Sequence, residues 1–423
     1  MSAAAPARFD LAIIGGGLVG ASLALALRDL PLRVLLIERF APESASQPSF
    51  DERTTALGNG SRRIFEALGV WQEMARDAAP IRAIHVSDAG RFGFARLNAL
   101  DQGVEAFGYV VPNRVIGAAL WGRLRELADP RAGAAARLQL DVRMPAHTGR
   151  IDIEPDVARL EVLSDAGAAP SSVHTSLLVA ADGAQSSVRD MAGIGSHVQD
   201  YEQVAIVVTV GTDRPHDGTA YERFTPGGPL AVLPLANGRY TVVWTLAPAV
   251  AARILEADDA QFLAELQRSF GWRAGRFVQV GRRGAYPLAL TRADATTAAR
   301  TVLIGNASQA LHPVAGQGFN LGLRDAAALA EMICECVQRG ADCGAADELR
   351  SFAAQRAADR RGVVGFTDGL VKLFGSTRPG VGALRNLGLL LFDLAPSAKS
   401  ALARVSWGFA GRTPRLARGL ALP

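Results

Sequence analysis

The chain has 423 residues, 49% of them hydrophobic and 20% charged, which is enough apolar material for one large core or two joined ones and too much for a disordered chain. The net charge is only +4 and Lys372 and Lys399 are the sole lysines, so the pI of about 9.2 reflects arginine usage; neither a basic stripe nor an aromatic stacking platform marks a nucleic-acid binder. Cys334, Cys336 and Cys343 form an odd set with no histidine cluster nearby, which argues against a metal site and for a reducing cytoplasm.

The first predicted unit, FDLAIIGGGLVGASLALALRDL, is an apolar strand that ends at Gly15, Gly17 and Gly20 and turns into an Ala/Leu-rich helix. Gly15 permits the tight turn, Gly17 lets a pyrophosphate approach bare backbone, and Gly20 lets helix and strand pack closely, with the positive helix N-terminus at the phosphate. A second strand, RVLLIE, places Glu38 at its carboxyl end, 38 − 15 = 23 residues after the first glycine, where a carboxylate can accept from a ribose 2′-OH. Leu11 to Leu27 carries no charge and competes as a signal peptide or membrane span. Three glycines at fingerprint spacing, a length of 17 residues and the lack of a small-residue cleavage pattern oppose that reading.

The βαβ patterning dominates the first 78 residues, weakens over residues 79 to 110 and returns near residues 174 to 190. There SLLVAADGAQSSVRD reads as a strand ending in Asp182 and Gly183, which can orient a bound nucleotide; alternatively Asp182 caps the following helix or pairs with Arg189. Between Tyr201 and Pro287 the runs AIVVTV, PLAVLP and YTVVWTL, separated by Gly, Pro and Asp, predict an antiparallel sheet. The strand TVLIG then leads into GNASQALHPVAGQGFNLGLRD, a Gly-rich turn containing Pro313 that runs into a helix start. Gly316 and Gly318 leave room for turn dihedrals and for backbone N–H groups that face a planar or anionic ligand, while a plain surface loop is the competing account. From Leu394 to Pro423 the tail carries Lys399, Arg404, Arg412, Arg415 and Arg418 and no acid, interleaved with Leu, Trp407 and Phe409. It reads either as a basic amphipathic segment for anionic lipid or as a helix packed on the nucleotide domain.

GGGLVG with Glu38, ADGAQSSVR and IGNASQALHPVAGQGFNLGLRD, in this order, resemble the three signatures of the flavin-dependent aromatic hydroxylases built like p-hydroxybenzoate hydroxylase. FDERTTAL, HVSDAG, YERFTPGGPLAVLPL, FGWR and AYPLAL extend the resemblance to the ubiquinone-biosynthesis branch, closest to the 2-polyprenyl-6-methoxyphenol hydroxylases, over nearly the whole chain. Most members carry Gly-Asp at the third signature; here Gly305-Asn306 stands there, as in that branch, and Asn can still bond a ribityl hydroxyl without bringing charge.

The resemblance implies an α/β fold: a Rossmann-like FAD-binding domain assembled discontinuously from residues 1–78, 105–190 and 286–335, an inserted antiparallel β-sheet substrate domain from 79–104 and 191–285, and a C-terminal helical segment, 336–423. It implies a single-component monooxygenase in which NAD(P)H visits as a transient co-substrate and reduces FAD, O₂ adds at flavin C(4a), and the hydroperoxide passes its terminal oxygen to an electron-rich ring. No second GxGxxG and no redox cysteine pair mark a standing NAD(P)H domain. The expected product is the 1,4-benzoquinol of a polyprenylated methoxyphenol. Hydroxylation of another aromatic substrate and a low-turnover FAD-binding scaffold are the alternatives.

Carried onto this chain, the family's flavin contacts fall on Arg53, whose competing role is an ion pair with Asp51 or Glu52, and on Asn113, whose competing role is a helix cap. Gln317 and Asn320 would fix the ring through loop geometry, a role close to plain turn formation. His312, beside Pro313 in the flavin-facing loop, could take or relay the phenol proton, or could only bond backbone to shape the loop. Leu233 and Leu235 replace the polar residues with which hydroxybenzoate-acting relatives hold a carboxylate, which favours a greasy phenol; core packing accounts for two leucines in a strand equally well. A lipophilic phenol, peripheral contact with the inner face of the cytoplasmic membrane and co-assembly with other quinone-synthesis enzymes are the expected partners.

Overall fold

The computed structural model describes residues 6–42, 53–129, 137–165, 167, 169–311, 316–375 and 413–422. Its first sheet is built around the apolar strand Ala7–Ile14, which has parallel neighbours on both sides, Ser171–Ala180 and Arg33–Ile37. Gln139–Arg143 and Thr301–Leu303 extend the parallel set outward, and Thr297–Ala298 and the antiparallel ribbon Ala146–Ile153 and Ala158–Ser164 complete eight strands. Leu11, Ile13, Val34 and Leu36 are inaccessible on one face, and Ala12, Ile14 and Leu35 are buried on the other. Both faces are covered, which explains why these strands read as unbroken apolar runs. The uncharged stretch Leu11 to Leu27 thus divides into the end of a strand, a turn and the helix Leu18–Ala26.

The second sheet has nine strands and is antiparallel except where Thr219–Thr225 runs parallel to Ala83–Asp88. One face packs on the helices Pro248–Glu256 and Asp259–Phe270 through Ile206, Val208, Val242 and Trp244. The other carries Leu233 and meets a small three-stranded sheet, Thr54–Gly58, Gly108–Pro112 and Ala79–Ile81. Two expected boundaries shift. The sheet's early contribution begins at Ala83 and not at 79, because Ala79–Ile81 bonds to Gly108–Pro112, and its late contribution continues past 285 through Gly284–Ala293 to Gln309–Ala310. Membership is decided by which strand offers free N–H and C=O groups, information that composition does not contain.

The helix Gln317–Arg339 crosses the boundary expected at 336, since its buried face continues through Met332, Ile333, Cys334 and Cys336. Ala346–Gly375 follows, locked to it by a buried ion network in which Arg324 and Arg356 bond Asp359 and Arg356 and Arg360 bond Asp325. The end of the chain docks on the first domain: Leu416 and Ala417 enter its core, and the Arg415 amide donates to Glu331 at 2.9 Å. That placement agrees with the packed alternative for residues 413–422, while the tail from 394 to 412 lies outside the described residues. Among the described residues no helix is long and apolar enough to cross a membrane.

Candidate flavin site

Four turns leave the first sheet at one edge because four strands end in one register row. Ile14 stands opposite both Ala180 and Ile37, and Ala180 stands opposite Leu303. Gly15, Asp182, Glu38 and Gly305 follow within two residues of those ends. The chain changes sides of the sheet at the central strand, and a parallel sheet opens its ligand crevice at such a point, beyond the carboxyl ends of the strands.

Gly15 has φ +102°, and a side chain on it would strike the carbonyl of Ala181, so both conformation and space exclude anything larger. A Cβ on Gly20 would collide with the Gly15 carbonyl oxygen, the close approach of helix and strand expected from the fingerprint. Gly17 is the N-cap of the helix Leu18–Ala26, in extended conformation and without a side-chain cap. The first-turn N–H groups of that helix receive no side-chain acceptor at the cap, and the turn has no acid to compete with an anion.

Glu38 is 6% exposed and accepts bonds from the amides of Gly16 at 2.6 Å and Phe40 at 2.8 Å. Trp121, on the helix Asn113–Ala128, donates from Nε1 to the Gly16 carbonyl at 2.9 Å and closes the turn from the other side. Sequence reasoning missed Trp121; the signal available was its place in the buried stripe Ile116, Leu120 and Leu124.

Asp182 does not pair with Arg189, and it helps to cap the next helix from outside the N-cap position, by accepting a first-turn amide. Ser186 is the cap, accepting from the Arg189 amide at 3.0 Å, and Arg189 bonds Asp190 and the carbonyls of Ala184 and Ala307. Asp182 accepts from the Val188 amide at 3.2 Å through Oδ2, while its buried Oδ1 has no hydrogen-bond partner among the described residues. Desolvation raises its pKa, opposed by bonds from Ser186 and Val188. Gly183 follows with φ +92°.

Gly305 opens a short 3₁₀ turn against Val19 of the first helix, and Asn306 beside it is exposed. Gly316, at φ +60°, is the N-cap of Gln317–Arg339. Gln317 is buried, and Gly318 sits inside the helix with ordinary room for a Cβ against Leu311, so the turn requirement falls on Gly316 alone of the two glycines. Asn320 makes four bonds. Its Nδ2 donates to the carbonyls of Ala56 at 2.8 Å and Gly316 at 2.7 Å, and its Oδ1 accepts from the Gly58 amide at 2.9 Å and the Ser61 hydroxyl at 2.6 Å. Its side chain is fully used in clasping the strand Thr54–Gly58 to the glycine loop. His312 and Pro313 lie outside the described residues.

Arg53 enters that strand with its guanidinium 4.9 Å above the Tyr286 ring of the second sheet; Asp51 and Glu52, its competing partners, lie outside the described residues. Asn113 is the first residue of its helix and not the cap, which is Pro112; its Oδ1 accepts from the Thr55 hydroxyl at 2.7 Å. Leu233 and Leu235 sit in the apolar cluster of Ile81, Leu97, Phe107 and Val110, with Ala56 against it. A surface groove of about 400 Å³ beside Leu263, Trp272 and Val278 lies by the helix Asp259–Phe270, away from these turns.

The residues present fit FAD. A helix start without competing anions suits a pyrophosphate, Glu38 places a carboxylate at the strand end where a ribose hydroxyl can donate to it, and the orphaned Asp182 Oδ1 and exposed Asn306 supply polar groups at the same edge. Such a sheet, with a second sheet inserted over its crevice, defines a flavoprotein hydroxylase fold.

Comparison with known proteins agrees. The model of the FAD binding domain family matches residues 8–366. The chain is 36% identical to ubiquinone hydroxylase UbiL of Rhodospirillum rubrum, over 98% of this chain and 93% of that protein. It is 30% identical to the 3-demethoxyubiquinol 3-hydroxylase of Escherichia coli, over 91% of this chain and 95% of that protein. Among solved structures, p-nitrophenol 4-monooxygenase PnpA from Pseudomonas putida DLL-E4 superposes with a TM-score of 0.77, covering 96% of this chain and 100% of that one at 18% identity, which speaks to the fold. The chain belongs to the FAD-binding monooxygenase family, in the branch of the ubiquinone-biosynthesis flavin hydroxylases.

Proposed function

We propose that this protein is an FAD-dependent monooxygenase that uses NAD(P)H and O₂ to hydroxylate a polyprenylated phenol in ubiquinone biosynthesis, with 2-polyprenyl-6-methoxyphenol as substrate and the 1,4-benzoquinol as product. The observation that carries the reading is the convergence of Gly15, Glu38, Asp182 and Gly305 on one edge of the parallel sheet, with the apolar face around Leu233 opposite Ala56 beside the Gly316 turn.

In this reading Gly15, Gly17, Gly20 and Glu38 hold the adenosine and pyrophosphate half of FAD, and Arg53, Asn113, Asp182, Asn306 and the turn at Gly316 hold the other half. FAD, when bound, supplies the chemistry of oxygen activation. The chain binds a phenol against Leu233 and its apolar neighbours, keeps water from the reacting ring, and orients its hydroxyl so that the ring carbon to be attacked is electron-rich. A hydroxyl donates most strongly to the ortho and para carbons, and the para carbon of a 2-polyprenyl-6-methoxyphenol is open. Such a substrate lives in the bilayer, which supports peripheral membrane contact; of the basic tail, the segment from Leu394 to Arg412 would serve, because Leu416 and Ala417 are committed to the core.

A second reading, oxygenation at another ring position, is favoured by the name of the Escherichia coli relative, a 3-hydroxylase. Mass spectrometry of the quinone intermediates that accumulate when the protein is removed separates the two: a pile-up of the methoxyphenol supports para-hydroxylation, and a pile-up of a quinol lacking one ring oxygen supports the second. Normal quinone levels with no accumulated intermediate would reject both.

A further inference from the structure

The second sheet aligns one row of residues across six strands: Val86, Glu222, Ala231, Val243, Val207 and Gly284 stand successively opposite one another. Glu222 is the carboxylate in an otherwise apolar row. Strand alternation fixes the side it faces, because its neighbours Tyr221 and Arg223 turn to the helix side, Tyr221 edge-on to Phe270 at 5.4 Å and Arg223 donating to the Ser269 carbonyl at 3.0 Å. Glu222 therefore shares a face with Ala220 and Leu233, whose cluster touches Ala56, and the Ala56 carbonyl is held by Asn320 beside Gly316.

This face is not sealed by packing. Val86, Glu222, Ala231, Val243 and Val207 all keep partial exposure, whereas Ile206, Val208, Val232, Val242 and Trp244 on the other face are buried. Ala220 and Phe224, two residues to either side of Glu222 on its own face, are buried as well. A row of accessible apolar side chains between buried ones leaves this strip of the face open to a ligand. Among the described residues Glu222 makes no hydrogen bond or ion pair, and burial alone pushes its carboxyl up to about 7. The charged neighbour in the adjacent row is Asp88, which pairs with Arg91 at 3.4 Å; the facing positions of the next strands are Pro229, Ala231 and Leu233, then Thr241, Val243 and Thr245. An unpartnered carboxylate among apolar side chains costs stability and calls for a ligand that donates to it.

We propose that Glu222 receives the hydroxyl of the aromatic substrate, accepting its hydrogen bond and then its proton as the ring is oxygenated; the proposal rests on the hydroxylase reading above. The phenolic O–H bond breaks, the proton passes to a Glu222 carboxylate oxygen, and the electron pair stays on the ring oxygen and enriches the para carbon. A C–O bond forms there with one atom of O₂, and the hydrogen on that carbon moves to the ring oxygen as aromaticity returns. The other oxygen atom leaves as water with the proton held by Glu222; NAD(P)H gives up its two electrons as a hydride, and the hydrogen of that hydride with one proton from solvent completes the water and the new hydroxyl.

The test is binding to the FAD-loaded protein, read by flavin fluorescence, of 2-prenyl-6-methoxyphenol and of its O-methyl ether, which cannot donate. A hydrogen bond to a charged acceptor predicts that the parent prefers the phenol by about 10- to 100-fold. Glu222→Leu should bind both equally, Glu222→Asp should keep part of the preference, and Glu222→Leu should melt no lower than the parent, which a merely structural carboxylate would not allow. A preference retained in Glu222→Leu overturns the assignment alone. A parent that takes up FAD but binds neither compound overturns the hydroxylase reading and the assignment with it.

Discussion

Replacing Asn320 probes the clasp that shapes the glycine loop without changing any residue placed at the cofactor's edge. Its side chain is 2% exposed and all four of its hydrogen-bonding sites are filled by protein groups 2.6 to 2.9 Å away. Asn320→Leu is nearly isosteric and removes all four bonds, at a net cost of about 1 kcal/mol each, so a loss of about 4 kcal/mol is expected. Asn320→Asp keeps the acceptor that Gly58 and Ser61 use and, while the new carboxyl is protonated, keeps one donor of the two, which gives a loss of about 1 kcal/mol. Ionised, it would face the carbonyls of Ala56 and Gly316, so its folded pKa must lie above the unfolded value. Its neutral form is then the compatible one, and the stability deficit is least below the unfolded pKa, near 4, and grows as pH rises through the folded pKa. Urea unfolding of the apoprotein at pH 5 and pH 8, followed by tryptophan fluorescence, measures both effects, and FAD titration should show affinity weakened more than tenfold in each variant. Unfolding midpoints and FAD affinity equal to the parent at both pH values would refute the clasp.

Gly20→Val should abolish FAD retention and destabilise by about 3 kcal/mol, because its side chain would occupy the space of the Gly15 carbonyl; Gly122→Ala, where a Cβ meets open space, should be neutral or stabilising, and melting curves with flavin absorbance compare them. Asp182→Asn should flatten part of the protein's pH dependence. The pKa of Asp182 is raised by desolvation, so its stabilising contribution is present at low pH and lost as pH rises through the folded pKa, and the variant should gain on the parent above that point while binding FAD more weakly. In the parent, product formed per NAD(P)H should rise with pH through about 7 as Glu222 ionises, and that limb should be missing from Glu222→Gln; identical profiles would detach the limb from Glu222.

The nucleotide edge was legible because its chemistry is local. A turn with φ +102° at Gly15 and a helix that touches that turn at Gly20 demand glycine wherever they occur, and an acid 23 residues on falls at the next strand's end because strand, helix and strand have nearly fixed lengths. Roles that depend on a partner elsewhere in the chain were not legible. Asn320 could be read as a loop residue, but its partners Ala56, Gly58 and Ser61 lie 259 to 264 residues away, and Trp121 closes the Gly16 turn from 105 residues away.

Amino-acid order by itself determined the parallel sheet, its glycine turns and the family to which the chain belongs, since each follows from periods and spacings within a few dozen residues. Only tertiary structure decided which residues share the open face with Glu222. Glu222 sits in a strand whose alternation is plain, but its row joins Val86, brought in parallel from far upstream, to Ala231, Val243, Val207 and Gly284. A slip of one residue in any of those pairings would turn the carboxylate's neighbours to the opposite face, so the site exists only at the register that buries the other side of the sheet.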